Sequence, residues 1–403
     1  MNSQTQSRSA VICGGSIGGL FAAAALQKRG WKVCVLERSA VELAGRGAGI
    51  VTHPELISAL QQVGADTGRL GVEVMERVAY DRDGRRVRAF DFHQIVTSWD
   101  RMYQVLRALI DPEDYLLDAE AASYQDSGGE VVVRLTDGRS LKADLLVGAD
   151  GFRSAIRRQM LPDVQPEYAG YVVWRTLAAE TDLPPDIRDD MFGTFSYFLP
   201  NGLQVIGYPI AGPDNDLRAG HLRYNFVWYS RVAPGQLERM RTDAQGRHHP
   251  VSIPPPLIRD DVIQAMYNQA ERQLSKPLAR ILAVSERPFF TPIYDHHSPV
   301  MAAGRVALAG DAACVARPHV GMGVTKAAQD ALALAAAVSD TETTRGLQAY
   351  SDVRVPICHR AYETGQWLGR LTFDQDPAEN TDGRNHADLD VIMRQTAVVP
   401  GTA

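Results

Sequence analysis

Apolar residues follow two rhythms along this chain: short continuous runs that suit buried strands, and longer alanine-rich or 3.6-periodic stretches that suit helices. Residues 10–13 predict a strand, followed by a glycine-rich turn over 14–19 and a helix over 20–29 that Gly30 stops. Residues 31–36 form a second apolar run ending in Glu37, which completes a strand, turn, helix, strand unit of the dinucleotide-binding type. Residues 130–135 and 140–147 read as strands joined by Thr136-Asp137-Gly138-Arg139, and the second runs into Gly148-Ala149-Asp150-Gly151.

The rhythm then changes. Residues 171–177, 193–199, 203–210 and 221–229 are strand-like, rich in aromatics and separated by turns such as Pro200-Asn201-Gly202. They predict an antiparallel sheet suited to covering a pocket. A loop follows over 246–256, then helix over 260–282, a core strand over 305–309 and a long helix over 324–338. Residues 344–370 predict a further helix kinked by Pro356, and the polar tail 374–403 is expected to be mobile for part of its length. There is no internal repeat.

With 403 residues, the chain suits two packed domains rather than one ordinary core. Residues 327–338 are the longest candidate for a membrane span, and Gln329 and Asp330 interrupt them. The polar opening residues lack the apolar core of a secretory signal, so a cytoplasmic location is expected. A net charge of -6 argues against general affinity for nucleic acid or anionic membranes. Cys13, Cys34, Cys314 and Cys358 show no metal-ligand spacing, so no metal is expected. Nothing in the sequence decides oligomeric state, and a homodimer stays open.

Three segments carry chemistry. Gly14-Gly15-Ser16-Ile17-Gly18-Gly19 follows the GxGxxG fingerprint with Ser16 in place of the middle glycine, the smallest side chain that still lets backbone approach a pyrophosphate. Glu37, at the end of the second strand, is placed to accept both hydroxyls of a ribose. The fingerprint alone does not separate NAD from FAD. Asp150, in Gly148-Ala149-Asp150-Gly151, and Asp311, in Ala309-Gly310-Asp311-Ala312, each put a carboxylate at a strand end just before a helical start. Taken singly, Asp150 or Ser154 could be a helix cap. Taken together, the carboxylates suit a ribityl chain, and a helix start suits the anionic edge of a reduced flavin.

In this order, the three signals resemble the group A flavoprotein aromatic hydroxylases, the para-hydroxybenzoate hydroxylase-like family, over nearly the whole chain. The resemblance implies an α/β fold of α+β two-domain type: a Rossmann-like FAD-binding domain interleaved with an antiparallel-sheet substrate domain, then C-terminal helices. Residues 1–170 would be the first part of the FAD-binding domain, with a substrate-side insertion over about 71–100. Residues 171–290 would be the substrate domain, 291–340 the second FAD-binding part, and 341–403 helices and tail. It also implies that Gly14, Ser16, Ile17, Gly18 and Gly19, with Glu37 and Arg38, hold the ADP half of FAD. Asp150 would belong to a motif associated with FAD and NAD(P)H, and Asp311 would contact the ribityl chain. Arg46 and Gly47 would flank the isoalloxazine, and Pro318, Gly321, Gly323 and Val324 would lie beside its pyrimidine edge.

A narrower likeness is to hydroxypyridine-hydroxylating members. It is carried by Tyr171-Val172-Val173-Trp174-Arg175, Gly207-Tyr208-Pro209-Ile210, the run 223–229 and Arg317-Pro318-His319. The implied reaction uses NADH or NADPH and O2 to hydroxylate a small aromatic or heteroaromatic ring through a flavin C4a-hydroperoxide. Two features depart from the family: Arg101 falls two positions late for the usual flavin-side arginine, and Cys314 replaces a histidine.

His319 is the candidate base for a ring hydroxyl, against the alternative of a loop histidine satisfied by the backbone. His53 either lines the pocket or starts the helix before Pro54. Tyr197, Tyr208, Asn225 and Trp228 are candidate lining residues, although strand alternation prevents all four from facing one ligand. A flavin oxidase or dehydrogenase of the same fold, and a flavin-binding regulator without turnover, remain alternatives.

Overall fold

The computed structural model describes residues 8–43, 48–339, 341–373 and 386–400. A six-stranded sheet runs in the order Ala302–Ala303, Val306–Leu308, Leu145–Gly148, Ser9–Cys13, Lys32–Leu36, Tyr115–Leu116. Its pairs are parallel except at Ala302–Ala303. Continuous apolar strands suit this sheet because it is buried in a core that includes the helix Ile17–Gln27 and Val131, Val133 and Leu135 of a three-stranded sheet. Ile17–Gln27 and Gly323–Ala337 pack against each other, with Gly18 beside Ala327.

The Ile17–Gln27 helix starts three residues earlier than the sequence suggests, immediately after Ser16, because the last glycines of the turn already take helical geometry. The expected strand 140–147 is two strands. Ser140–Ala143 belongs to a three-stranded sheet and Leu145–Gly148 to the parallel one. Asp144 is the pivot, its Oδ2 accepting from the Ser9 amide at 2.8 Å and the Ser9 hydroxyl at 3.1 Å.

The nine-stranded sheet runs Cys314–Val315, Phe289–His297, Glu167–Ala179, Arg223–Arg231, Gln204–Ile210, Phe195–Phe198, Val72–Tyr80, Arg86–Ser98, Gly49–Val51. Side-chain alternation gives it two apolar faces. Trp174, Val205, Phe226 and Trp228 face one core with the helices Asp260–Gln273 and Lys276–Ala283. Tyr171, Tyr197, Tyr208, Val227 and Tyr229 face the other way. Trp228 is therefore core rather than pocket lining.

The helix expected over 260–282 breaks at Leu274, which is extended. Pro277 lacks the amide a continuous helix would use, and its ring would meet the Gln273 carbonyl. Thr343–Phe373 does run through Pro356 as one helix. Residues 374–385 of the expected mobile tail lie outside the described residues. Beyond them the chain forms the helix His386–Gln395, which buries Ile392 and Met393 against the second sheet face. Arg77, fully buried, fastens its end: the guanidinium donates to the carbonyls of Met393 at 2.5 Å, Thr396 at 2.7 Å and Ala397 at 3.3 Å.

Candidate active site

The turn after Ser9–Cys13 is built for close backbone contact. Gly14 has φ +106°, and a Cβ there would lie 2.3 Å from the Ala149 carbonyl. A Cβ on Gly19 would lie 1.8 Å from the Gly14 carbonyl. Only glycine suits either position. Ile17 is buried in the helix interior, so Ile17, Gly18 and Gly19 shape the turn while Gly14 and Ser16 border a cavity of about 290 Å³. Ser16 makes no cap hydrogen bond with its hydroxyl. Glu37 also borders this cavity; its Oε2 accepts from the Gly15 amide at 3.0 Å and its Oε1 from the Ser39 amide at 2.9 Å. Each oxygen keeps a further lone pair for a ligand.

Arg38, Asp150, Gly151 and Arg153 line this cavity and also a second one of about 530 Å³, so the two form one long cleft. Both cap readings at the junction hold: Asp150 Oδ2 accepts from the Ala155 amide at 2.7 Å, and the Ser154 hydroxyl from the Arg157 amide at 2.8 Å. Asp150 Oδ1 is buried without a partner, a lone acceptor where the two cavities meet. Burial pushes the Asp150 carboxyl up, against the opposing hydrogen bonds from Ser154 and the helix amides.

The larger cavity has two unlike walls. One carries Asp311, Pro318, Gly321, Gly323 and Val324, with the free amides of the helix Gly323–Ala337 at its start. The other is the sheet face, with Arg175, Phe195, Ile206, Tyr208, Val227 and Tyr229. Asp311 is open to the cleft. The surrounding protein nevertheless crowds it enough to push its carboxyl up, while the Lys326 ammonium pulls the other way. A buried ionic cluster holds this turn. Lys326 Nζ donates to the Gly310 carbonyl at 2.8 Å, and Asp330 accepts from the Gly310 amide at 3.0 Å and from Arg354 Nε at 2.7 Å. The sequence signal for it was Lys326 and Asp330, spaced i, i+4 within an alanine-rich helix.

A long cleft with close-packed glycines and a diol-ready carboxylate at one end, an unpaired buried acceptor at the waist and an open carboxylate beside helix amides at the other fits FAD. Two family models match the chain, one described as FAD binding domain-like over residues 168–295 and one as FAD binding domain over 282–364. The 2,6-dihydroxypyridine 3-monooxygenase of Paenarthrobacter nicotinovorans is 34% identical over 346 residues, covering 85% of this chain and 86% of that protein. The chain belongs to the FAD-dependent aromatic monooxygenases.

The solved structure of 2,6-dihydroxypyridine-3-hydroxylase from Arthrobacter nicotinovorans superposes with a TM-score of 0.86 at 31% identity, over 92% of this chain and 94% of that one. The HpxO protein of Klebsiella pneumoniae, solved with FAD and uric acid, shares the fold, with a TM-score of 0.76 at 22% identity over 96% and 93% of the two chains. The monooxygenase thus takes FAD as its cofactor and NADH or NADPH as its electron donor. Among the described residues no helix is long and apolar enough to cross a membrane.

The monooxygenase treats its other sequence-named residues unevenly. His319 does not face the cleft. It is fully buried, with Nε2 3.0 Å from the Tyr171 hydroxyl, Nδ1 3.0 Å from Gln204 Oε1, and its ring stacked 4.4 Å from that of Tyr229. With both nitrogens engaged by protein, it braces the wall from behind and is not presented to a bound ring. His53 takes the helix-start position, its Nδ1 2.8 Å from the Thr325 hydroxyl, and borders a separate cavity of about 540 Å³ beside Phe90 and Phe92. Burial pushes it down to about 4, which keeps it neutral.

Tyr197 is buried within the sheet face and outside the cleft lining; burial pushes its phenol up to about 12. Asn225 accepts from the Gly49 amide at 3.2 Å and leaves its buried Nδ2 unpartnered. Pro318 and Tyr208 do line the cleft. Arg46 and Gly47 lie outside the described residues. Arg101 turns toward Gly68 and Asp66, and Cys314 is buried. Sequence reasoning missed Phe195 and Ile206 in the wall, as well as Thr396 and Ala397 from the C-terminal segment, and it named Arg175 and Tyr229 only as members of the runs that carry the narrower likeness.

Proposed function

We propose that this enzyme hydroxylates a small, electron-rich aromatic or N-heteroaromatic ring of the hydroxypyridine kind. The observation that carries this is the 530 Å³ cavity, whose aromatic sheet wall faces Asp311, Pro318 and the start of the helix Gly323–Ala337. Its volume suits one ring stacked beside a flavin edge. In this reading Gly14, Ser16, Glu37 and Arg38 hold the ADP half of FAD, Asp150 the middle and Asp311 the ribityl chain, with Ile17, Gly18 and Gly19 shaping the turn. Gly321, Gly323 and Val324 border the pyrimidine edge, where helix amides favour negative charge. Bound FAD supplies the electron path from NAD(P)H to O2.

The chain's own residues do the rest. The apolar wall of Phe195, Ile206 and Val227 excludes water, which limits loss of the activated oxygen as peroxide. Pro318 positions the ring, and Asn225 acts from behind the wall by holding the amide of Gly49, which lines the cavity. Residues 1–170 and 291–340 form the FAD-binding part and 171–290 the substrate part, with the 71–100 insertion joining the latter. A cytoplasmic enzyme with ready access to NAD(P)H follows from the same reading.

The test is a screen of hydroxypyridines, hydroxynicotinates and phenolic acids for accelerated NAD(P)H oxidation, with product mass. One added oxygen per NAD(P)H consumed supports the reading. Peroxide with no hydroxylated product from any ring defeats it in favour of an oxidase.

A further inference from the structure

Arg175 sits in the middle of the strand Glu167–Ala179, paired across to Val227 on one side and Phe289 on the other. Alternation puts it on the same face as Tyr171 and Val173, so it points with Tyr208, Val227 and Tyr229 into the larger cavity. It stands at a partition, bordering also a neighbouring groove of about 1100 Å³. Arg175 is half-buried, and among the described residues its guanidinium makes neither a hydrogen bond nor an ion pair. Other arginines of the fold are provided for: Arg317 pairs with Asp295, Arg354 with Asp330, and Arg77 with three backbone carbonyls.

A partly desolvated cation left without a counter-charge costs stability unless a ligand supplies one. Its field is felt locally, since it opposes the rise that burial imposes on the phenols of Tyr208 and Tyr229. Asp150 and Asp311 are the carboxylates lining the larger cavity, and Asp100, Asp214 and Glu286 line the neighbouring groove; none of them forms an ion pair with Arg175.

We propose that Arg175 receives an anionic oxygen carried by the substrate ring, either a ring oxyanion or a ring carboxylate, and so selects anionic rings over neutral ones of the same shape. This rests on the ring-hydroxylation reading above. A fixed cation there would also hold a ring hydroxyl in its ionised, electron-rich form without a neighbouring proton acceptor, the task for which His319 is wrongly placed.

The test uses the full-length, FAD-loaded enzyme and isothermal titration calorimetry with two probe pairs: 6-hydroxynicotinate against 6-hydroxynicotinamide, and 2,6-dihydroxypyridine against 2,6-dimethoxypyridine. Wild type should prefer the anion-capable member of at least one pair by about 10- to 100-fold, the span of a charge-assisted hydrogen bond. Arg175→Gln should shrink that preference to about twofold or less, and Arg175→Lys should restore part of it. The pair whose preference collapses tells carboxylate from oxyanion. Flavin content checks the fold, and Arg175→Met, which keeps the apolar stem, carries the test if the glutamine variant loses FAD. A variant that keeps the wild-type ratio, or a wild type without preference in either pair, overturns the proposal. Product mass separates the two readings: hydroxylation with an unchanged ratio defeats only the role of Arg175, and no product from any ring defeats the ring-hydroxylation reading.

Discussion

Asp311 is open to the cleft while its turn is held by Lys326 and Asp330, and the proposed reading sets it against the ribityl chain of FAD. Asp311→Ala should therefore weaken FAD binding by about 1.5 to 3 kcal/mol, one charge-assisted hydrogen bond, with the chain still folded. Fluorescence titration of the apoprotein with FAD measures this, and unchanged affinity would remove Asp311 from the ribityl contact. Histidines at this scale are structural. Burial pushes both His53 and His296 down to about 4 from an ordinary value of 6.5. Between those values the unfolded chain binds more protons than the folded one, so stability is full above about pH 6.5 and drains as pH falls toward 4. Each should cost about 2 kcal/mol on going from pH 7 to pH 5. Urea unfolding at the two pH values reads the loss, and His53→Gln should remove about half of it; an equal loss in the variant would contradict the burial argument.

At the scale of elements, what the sequence made legible were local periods and breaks. The dinucleotide unit, the four aromatic strands and the long helices were all visible because each pattern is a neighbour relation along the chain. The errors came where two sheets share one run, at Asp144, and where a proline sits just inside a helix start, at Pro277. The C-terminal segment is the largest surprise. A segment expected to be mobile for part of its length becomes a docked helix because Leu389, Ile392 and Met393 bury against the sheet and Arg77, far away in sequence, satisfies its terminal carbonyls. Arg77→Met should cost about 3 kcal/mol through lost charge-assisted bonds and leave residues 386–400 open to protease while FAD stays bound. Cleavage no faster than in wild type would show that the apolar contacts of Ile392 and Met393 suffice.

For the whole molecule, the cleft runs from the parallel sheet to the face of the nine-stranded one, so a bound FAD would tie both layers together. Apoprotein should unfold at lower temperature than holoenzyme, with FAD at a hundred times its Kd adding about 2.7 kcal/mol by mass action. Calorimetry across an FAD series tests this, and a midpoint independent of FAD would mean that FAD does not bind the folded chain in preference to the unfolded one. The sequence by itself determined the cofactor class, because a glycine turn, a strand-end carboxylate and a helix start are local features that act where they stand. Which side chains line the larger cavity was decided only by tertiary structure. His319 and Arg175 carry no local sign of their fate: sheet register and packing turn the histidine into a hydrogen-bonded brace behind the wall, and leave the arginine in the cavity with its charge unmatched.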